Sequence, residues 1–260
     1  MCVKGCTRPN GAVCNFYLTA ACNLRCAYCY ERGKSPVPDL TPERIADCFD
    51  RLRCQQVPVG SFVLFGGEPC LRWDLVFRVA RASHAYEFLL PDPGIILFTN
   101  GLLLTAQRIE ELKEESIQLL ISFDGYDERS ALRYGGRLAT LAAHVETVIA
   151  SAIRTSVPTT VVFTVGRHNA DYLLDDMSRL HDQHGVGSFS VVIIRQSDFA
   201  AQHLAETRDA VLQWARSGDI DMDWKPVGQH GSPYETYFFS ACHVRHLYPA
   251  EWGTWARSGW

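Results

Sequence analysis

The chain has 260 residues, 47% of them hydrophobic, and a formal net charge of −4 at pH 7. That is enough to bury one large domain, or a domain with an extension, and the mild acidity with scattered Lys and Arg excludes an electrostatic footprint for nucleic acid. No uncharged apolar run reaches the roughly 18 residues that span a bilayer. The start, Met1-Cys2-Val3-Lys4-Gly5-Cys6, lacks the apolar stretch of a signal peptide, so the expectation is a cytoplasmic protein with reduced thiols.

In chain order, short β-rich runs alternate with segments of helical period. A strand at 15–19 is followed by a cysteine-bearing loop at 22–29 and a helix at 42–55. Thr41-Pro42-Glu43 opens that helix with a capping residue and a proline at the first helical position. Strand 61–65 leads to helix 73–85, strand 94–99 to helix 105–115, and strand 118–123 to helix 138–152. Strand 158–165 precedes helix 171–184, and strand 188–194 precedes helix 200–216. Six such βα units predict a parallel sheet in an α/β fold.

The chemistry concentrates where these strands end. The loop Cys22-Asn23-Leu24-Arg25-Cys26-Ala27-Tyr28-Cys29-Tyr30 has the spacing C-x3-C-x2-C. Three thiolates on one loop can hold three irons of a 4Fe–4S cube and leave the fourth open to a small molecule. A zinc site instead wants four ligands, normally in two pairs. Gly66-Gly67-Glu68-Pro69 ends the second strand. Its glycines allow close backbone approach, at the strand ends where parallel α/β barrels bind ligands. Thr99-Asn100-Gly101 ends the third strand. Ser122-Phe123-Asp124-Gly125 ends the fourth, with Ser122 and Asp124 on the face opposite to Phe123, or else simply an Asx turn. Arg133 follows, a guanidinium able to clamp a carboxylate. Val165-Gly166-Arg167-His168-Asn169 ends the fifth strand. There Asn169 is a candidate helix cap and His168 reads as an exposed loop residue.

Cys22, Cys26 and Cys29, with Tyr28 before the last of them, and then Gly-Gly-Glu-Pro, Thr-Asn-Gly and Ser-x-Asp-Gly in this order resemble the radical S-adenosylmethionine (radical SAM) enzymes. The likeness covers roughly residues 15–195 and is nearest to the sulfatase-maturase and peptide-maturase branch (SPASM/Twitch-like), here with a shortened C-terminal extension. It implies a partial (β/α)6 barrel, a 4Fe–4S cluster on Cys22, Cys26 and Cys29, and S-adenosylmethionine on the open iron. The cofactor-binding residues it implies are Tyr28, Gly66, Gly67, Glu68 and Pro69, with Asn100, Ser122, Asp124 and Arg133. The His-Asp pair that commonly precedes such an arginine is absent, Arg129-Ser130 standing there.

The implied activity is reductive cleavage of S-adenosylmethionine to a 5′-deoxyadenosyl radical and abstraction of a substrate hydrogen, modifying a peptide or protein side chain. An electron donor such as flavodoxin or ferredoxin is the implied partner. The alternative is a dehydrogenase, epimerase or rearrangement enzyme acting on a small metabolite such as a sugar or nucleoside. A non-catalytic iron–sulfur protein would ligate all its irons and need no Gly-Gly-Glu-Pro turn. No side chain is assigned an acid–base role.

The expected organisation is an N-terminal extension over 1–14, the barrel over 15–216 and a small aromatic-rich C-terminal cap over 217–260. That tail gathers Trp224, Tyr234, Tyr237, Phe238, Phe239, Trp252, Trp255 and Trp260, too apolar for disorder. An auxiliary cluster would have to recruit Cys2, Cys6, Cys14 and Cys242. Cys48 and Cys54, on the first helix, read as buried small hydrophobes, and Cys70 as a packed neighbour of the Gly-Gly-Glu-Pro turn.

Overall fold

A computed structural model describes residues 12–29, 38–86, 94–134, 138–194, 201–225, 236–239 and 244–247. Cys2, Cys6 and Cys242, the predicted extension as far as residue 11, and Tyr234, Trp252, Trp255 and Trp260 of the tail lie outside these residues. The elements are β1 (Ala12–Tyr17), α1 (Pro42–Cys54), β2 (Val59–Phe65), α2 (Trp73–His84), β3 (Gly94–Thr99), α3 (Ala106–Glu114) and β4 (Ile117–Ser122). Then come a one-turn α4 (Ala131–Tyr134), α5 (Leu138–Arg154), β5 (Thr159–Val165), α6 (Leu173–His184), β6 (Ser188–Ile193) and α7 (Ala201–Ser217). Each of the six predicted βα units is present, its bounds within a few residues of expectation.

The helices form where capping and an apolar stripe coincide. In α1 the Thr41 hydroxyl accepts the Arg44 N–H, Pro42 sits in the first turn, and Ile45, Cys48, Phe49 and Leu52 make one buried face. Cys54 falls off that stripe at the last helical position and is exposed, contrary to the sequence reading. In α3 Thr105 caps through the Arg108 N–H. Gly185, at φ 72, ends α6 in the left-handed conformation that favours glycine.

The strands run in parallel in the order β6-β5-β4-β3-β2-β1, each beside its sequence neighbour. Alternate residues face the helices. Phe16 and Phe62 meet Phe49 of α1 at 5.6 and 5.2 Å between ring centroids, and Phe189 meets Trp214 of α7 at 5.9 Å. The register carries this face across the sheet, pairing Cys14 with Phe62, Phe62 with Ile95, Ile95 with Ile117, Ile121 with Val161 and Val161 with Phe189. The other strand positions face away from the helices and are in the main only half-buried. Among the described residues no helix is long and apolar enough to cross a membrane.

Three further strands come from the tail, a contribution the sequence reading does not contain. β7 (Asp221–Lys225) lies parallel to β6, β8 (Thr236–Phe239) parallel to β1, and β9 (Val244–Leu247) antiparallel to β8. The result is an open nine-stranded sheet with β7 and β9 at its edges. A bare edge presents unpaired N–H and C=O groups, and the tail strands pair with both edges of the six-stranded sheet. Thr236-Tyr237-Phe238-Phe239 has the aromatic and β-branched composition that suits such a strand. At four residues inside a turn-rich tail, it is too short to show a period.

Candidate functional site

Because the strands are parallel and adjacent in order, their carboxyl ends share one rim. All the motifs sit there. The cysteine loop follows β1, Gly66–Pro69 follows β2, Asn100 follows β3, Asp124 follows β4 and Asn169 follows β5.

The Gly-Gly turn lies against the stem of the cysteine loop. Gly67 N–H donates to the Thr19 carbonyl at 2.7 Å, and Glu68 N–H to the Ala21 carbonyl at 2.8 Å. A Cβ on Gly66 would lie 2.4 Å from the Thr19 carbonyl oxygen, and one on Gly67 2.4 Å from that of Ala21 and 2.6 Å from that of Ala20. The sequence reading took the glycines as room for a ligand, and in the structure the backbone they admit is the loop stem. Gly67→Ala is expected to lower stability by about 1–3 kcal/mol, as overpacking does where only backbone can yield. Chemical denaturation checks this, and an unchanged midpoint would mean that the stem is not so close.

Glu68 is 1% exposed. Its carboxylate accepts the Cys70 N–H at 3.0 Å, the Thr99 hydroxyl at 2.7 Å and the Asn100 N–H at 2.8 Å. It thereby caps a 3-10 turn (Pro69–Arg72) that Pro69 opens, and ties the ends of β2 and β3 together. The Cys70 thiol is a further hydrogen-bond neighbour of this carboxylate. Asn100 is buried, its amide nitrogen donating to Asn23 Oδ1 at 2.7 Å and its oxygen accepting the Leu102 N–H at 3.0 Å. Cys70 packs against the Thr99 hydroxyl at 3.3 Å, and burial pushes its thiol well up.

Asp124, fully buried, is the second hub. One carboxylate oxygen accepts from Arg133 at 2.8 Å and from the Thr164 N–H at 3.3 Å, and the other accepts from the Tyr28 hydroxyl. Arg133, 6% exposed on α4, also lies 5.7 Å from the Tyr28 ring centroid. Ser122 is buried beside them on the same strand end. Asn169 does not cap the following turn. Its amide donates at 3.0 Å to the carbonyls of both Asp124 and Thr164, and its oxygen accepts the Gly166 N–H. The side chain a local reading assigns to a helix cap instead joins β4 to β5.

Cys22 is exposed, while Cys26 and Cys29 are half-buried, and all three are free thiols. Burial pushes Cys26 up to about 11 against the lowering effect of Arg133, and also raises Cys22, so metal binding here releases protons. Among the described residues no three side chains converge on a single ion. A zinc ion needs its ligands about 2.0–2.3 Å from one point, whereas a cubane takes one thiolate per iron. Three thiols on one loop, one for each of three irons, are the donor chemistry that a cubane with an open iron takes.

Three buried polar atoms have no hydrogen-bond partner among the described residues in this region: Arg133 Nε, the Tyr134 hydroxyl and His168 Nε2. Arg133 and Asp124 act electrostatically on both Tyr134 and His168. Burial pushes the Tyr134 phenol up and the His168 imidazole down, keeping both neutral. Unpaired buried groups are few in folded proteins, and these three lie together on the rim beside Asp124 and Arg133. Tyr134 lies in no motif, so no sequence signal marks it, and His168, expected to be exposed, is half-buried. Cys14, offered for an auxiliary cluster, is fully buried in the helix-facing core near Cys48.

A family model described as the radical SAM superfamily matches residues 16–180. The GTP 3′,8-cyclase of Mycolicibacterium smegmatis is 31% identical over 221 residues, 79% of this chain and 53% of that protein. The sporulation killing factor maturation protein SkfB of Bacillus subtilis is 29% identical over 165 residues, 62% of this chain and 38% of its own. The AdoMet-dependent heme synthase of Methanosarcina barkeri is 37% identical over 113 residues, 42% of this chain and 30% of its own. The matched regions thus span only 30% to 53% of these relatives' lengths. Among solved structures, native anSMEcpe with bound AdoMet and Cp18Cys peptide aligns with a TM-score of 0.69 at 15% identity, over 93% of this chain and 74% of that one. Streptococcus suis SuiB bound to precursor peptide SuiA aligns with a TM-score of 0.66 at 12% identity, over 85% and 49%.

Proposed function

This chain belongs to the radical SAM superfamily, and from that premise we propose that it modifies a side chain of a peptide or protein. The family implies a 4Fe–4S cluster and S-adenosylmethionine. When bound, that pair supplies one-electron cleavage to methionine and a 5′-deoxyadenosyl radical able to take a hydrogen atom from a substrate. In this reading Cys22, Cys26 and Cys29 ligate three irons. Arg133 Nε and the Tyr134 hydroxyl donate to ligand acceptors, and Asn100, Ser122 and the Gly66–Pro69 turn line the cofactor's place. Glu68 is the carboxylate that pairs with the ligand's ammonium. The observation that carries the reading is the docking of the Gly-Gly turn onto the stem of the cysteine loop through Gly67 and Glu68 N–H, which brings both motifs to one point on the rim.

SkfB is named for maturation of the sporulation killing factor, and this supports a peptide substrate. The second reading, a small nucleotide substrate, draws on the likeness to the M. smegmatis cyclase. The strand positions facing away from the helices favour the first. From β1 to β6 they include Tyr17, Phe65, Phe98, Leu120, Val162 and Val192 beside Asn15, Ser122, Thr164 and Ser190, with no Lys or Arg among them. A triphosphate wants cationic partners, whereas a lining of mixed uncharged residues suits a peptide side chain.

The test is anaerobic reconstitution with iron and sulfide, then reaction with dithionite and S-adenosylmethionine. Deuterated peptides encoded beside the gene are supplied in one arm and deuterated GTP in the other. Deuterium is expected in 5′-deoxyadenosine from a peptide. Label from GTP alone would overturn the peptide reading, and no 5′-deoxyadenosine in any arm would overturn the activity itself.

A further inference from the structure

Two side-chain contacts leave the cysteine loop and end on different strands. Asn23, next to Cys22, accepts the Asn100 amide at 2.7 Å, and Asn100 is itself held by Glu68 through its backbone N–H. Tyr28, between Cys26 and Cys29, donates its hydroxyl to Asp124, which Arg133 and the Thr164 N–H hold in turn. Beside this second contact the Ala27 N–H donates to the Leu132 carbonyl at 2.6 Å. Glu68, Asn100, Asp124 and Arg133 are all buried. The loop residues they reach are half-buried or exposed, so the loop is fastened to fixed points just after β3 and β4.

We propose that Asn23–Asn100 and Tyr28–Asp124 are paired struts that hold the three thiols at cluster spacing. Glu68 and Asp124 then act on the cluster through the loop, as positioning residues, whatever else they touch. A loop whose thiols must reach three irons at once loses entropy when it binds. Struts from two strands set that loss at folding and slow the departure of iron. Glu68 and Asp124 also place negative charge near Cys22 and Cys26 respectively, and charge and hydrogen bonding around a cluster tune its potential. The inference rests on reading the loop as a cluster site.

The test is the rate at which reconstituted protein releases iron to a chelator, together with the electron paramagnetic resonance line shape of the reduced cluster. Tyr28→Phe, which removes a hydrogen bond to a charged acceptor, is expected to release iron about ten- to a hundredfold faster. Asn23→Ala, which removes a neutral bond, should accelerate release by roughly two- to tenfold, and Asn23→Asp, which keeps an acceptor, should release iron no faster than the wild type. Both faster variants should also change the line shape. Tyr126→Phe is the control. It loses a hydroxyl bond to Glu146 at 3.0 Å away from the loop, and should match the wild type on both measures. Wild-type release from Tyr28→Phe or from Asn23→Ala overturns the strut it tests, and equal acceleration in Tyr126→Phe overturns both. A wild-type protein that takes up no cubane would overturn the functional reading instead.

Discussion

Replacing Cys22, Cys26 and Cys29 together by alanine is expected to abolish iron binding and with it all formation of 5′-deoxyadenosine. The wild type should hold about four irons after anaerobic reconstitution, one cubane, and the triple variant none. The effect is total because no other described side chains replace the thiols, Cys14 being buried in the core and Cys48 on the helix side of the sheet. Iron analysis and the visible charge-transfer band read the outcome. A triple variant that still cleaves S-adenosylmethionine would overturn the assignment of the loop. One that retains about four irons without cleavage would place a second cluster on cysteines outside the described residues, Cys2, Cys6 and Cys242, without Cys14.

Asp124→Ala is expected to be the most destabilising single change at the rim, by about 3–5 kcal/mol, because it strands a buried cation. Arg133 is 6% exposed, and Asp124 is the only carboxylate within bonding reach of it among the described residues. The same change frees the Thr164 N–H and the Tyr28 hydroxyl. Removing the charge as well, in Asp124→Ala/Arg133→Met, should recover most of the loss, since a buried ion pair often breaks nearly even with an apolar replacement. Urea denaturation of the iron-free protein separates the cases. A single variant within about 1 kcal/mol of wild type would show that the pair is solvated.

The alternation of strand and helix could be read because each signal is local. Thr41 before Pro42, the Ile45/Cys48/Phe49/Leu52 stripe and the β-branched run of β5 state their conformation within a few residues. Cys54 was misplaced because one turn of register at a helix end decides whether a side chain meets the sheet or solvent. β8 escaped notice because a four-residue strand has no period and becomes a strand only when β1 offers it an edge.

C-x3-C-x2-C brings three thiols onto one loop whatever surrounds it, and the strand patterns alone tell that Gly66–Pro69, Asn100 and Asp124 end strands. Only the tertiary structure decided what those residues hold. The Tyr28–Asp124 bond joins residues 96 apart and the Asn23–Asn100 bond residues 77 apart. Glu68 spends its carboxylate on β3 from a distance of 32 residues. Partners so far apart meet only once the parallel register has brought every strand end to one rim, and a one-residue slip would carry each strand end about 3.3 Å along its neighbour, out of hydrogen-bond reach of these partners. The same register gathers Tyr134 and His168, which no motif marks, around Asp124 and Arg133 with polar atoms still to be satisfied.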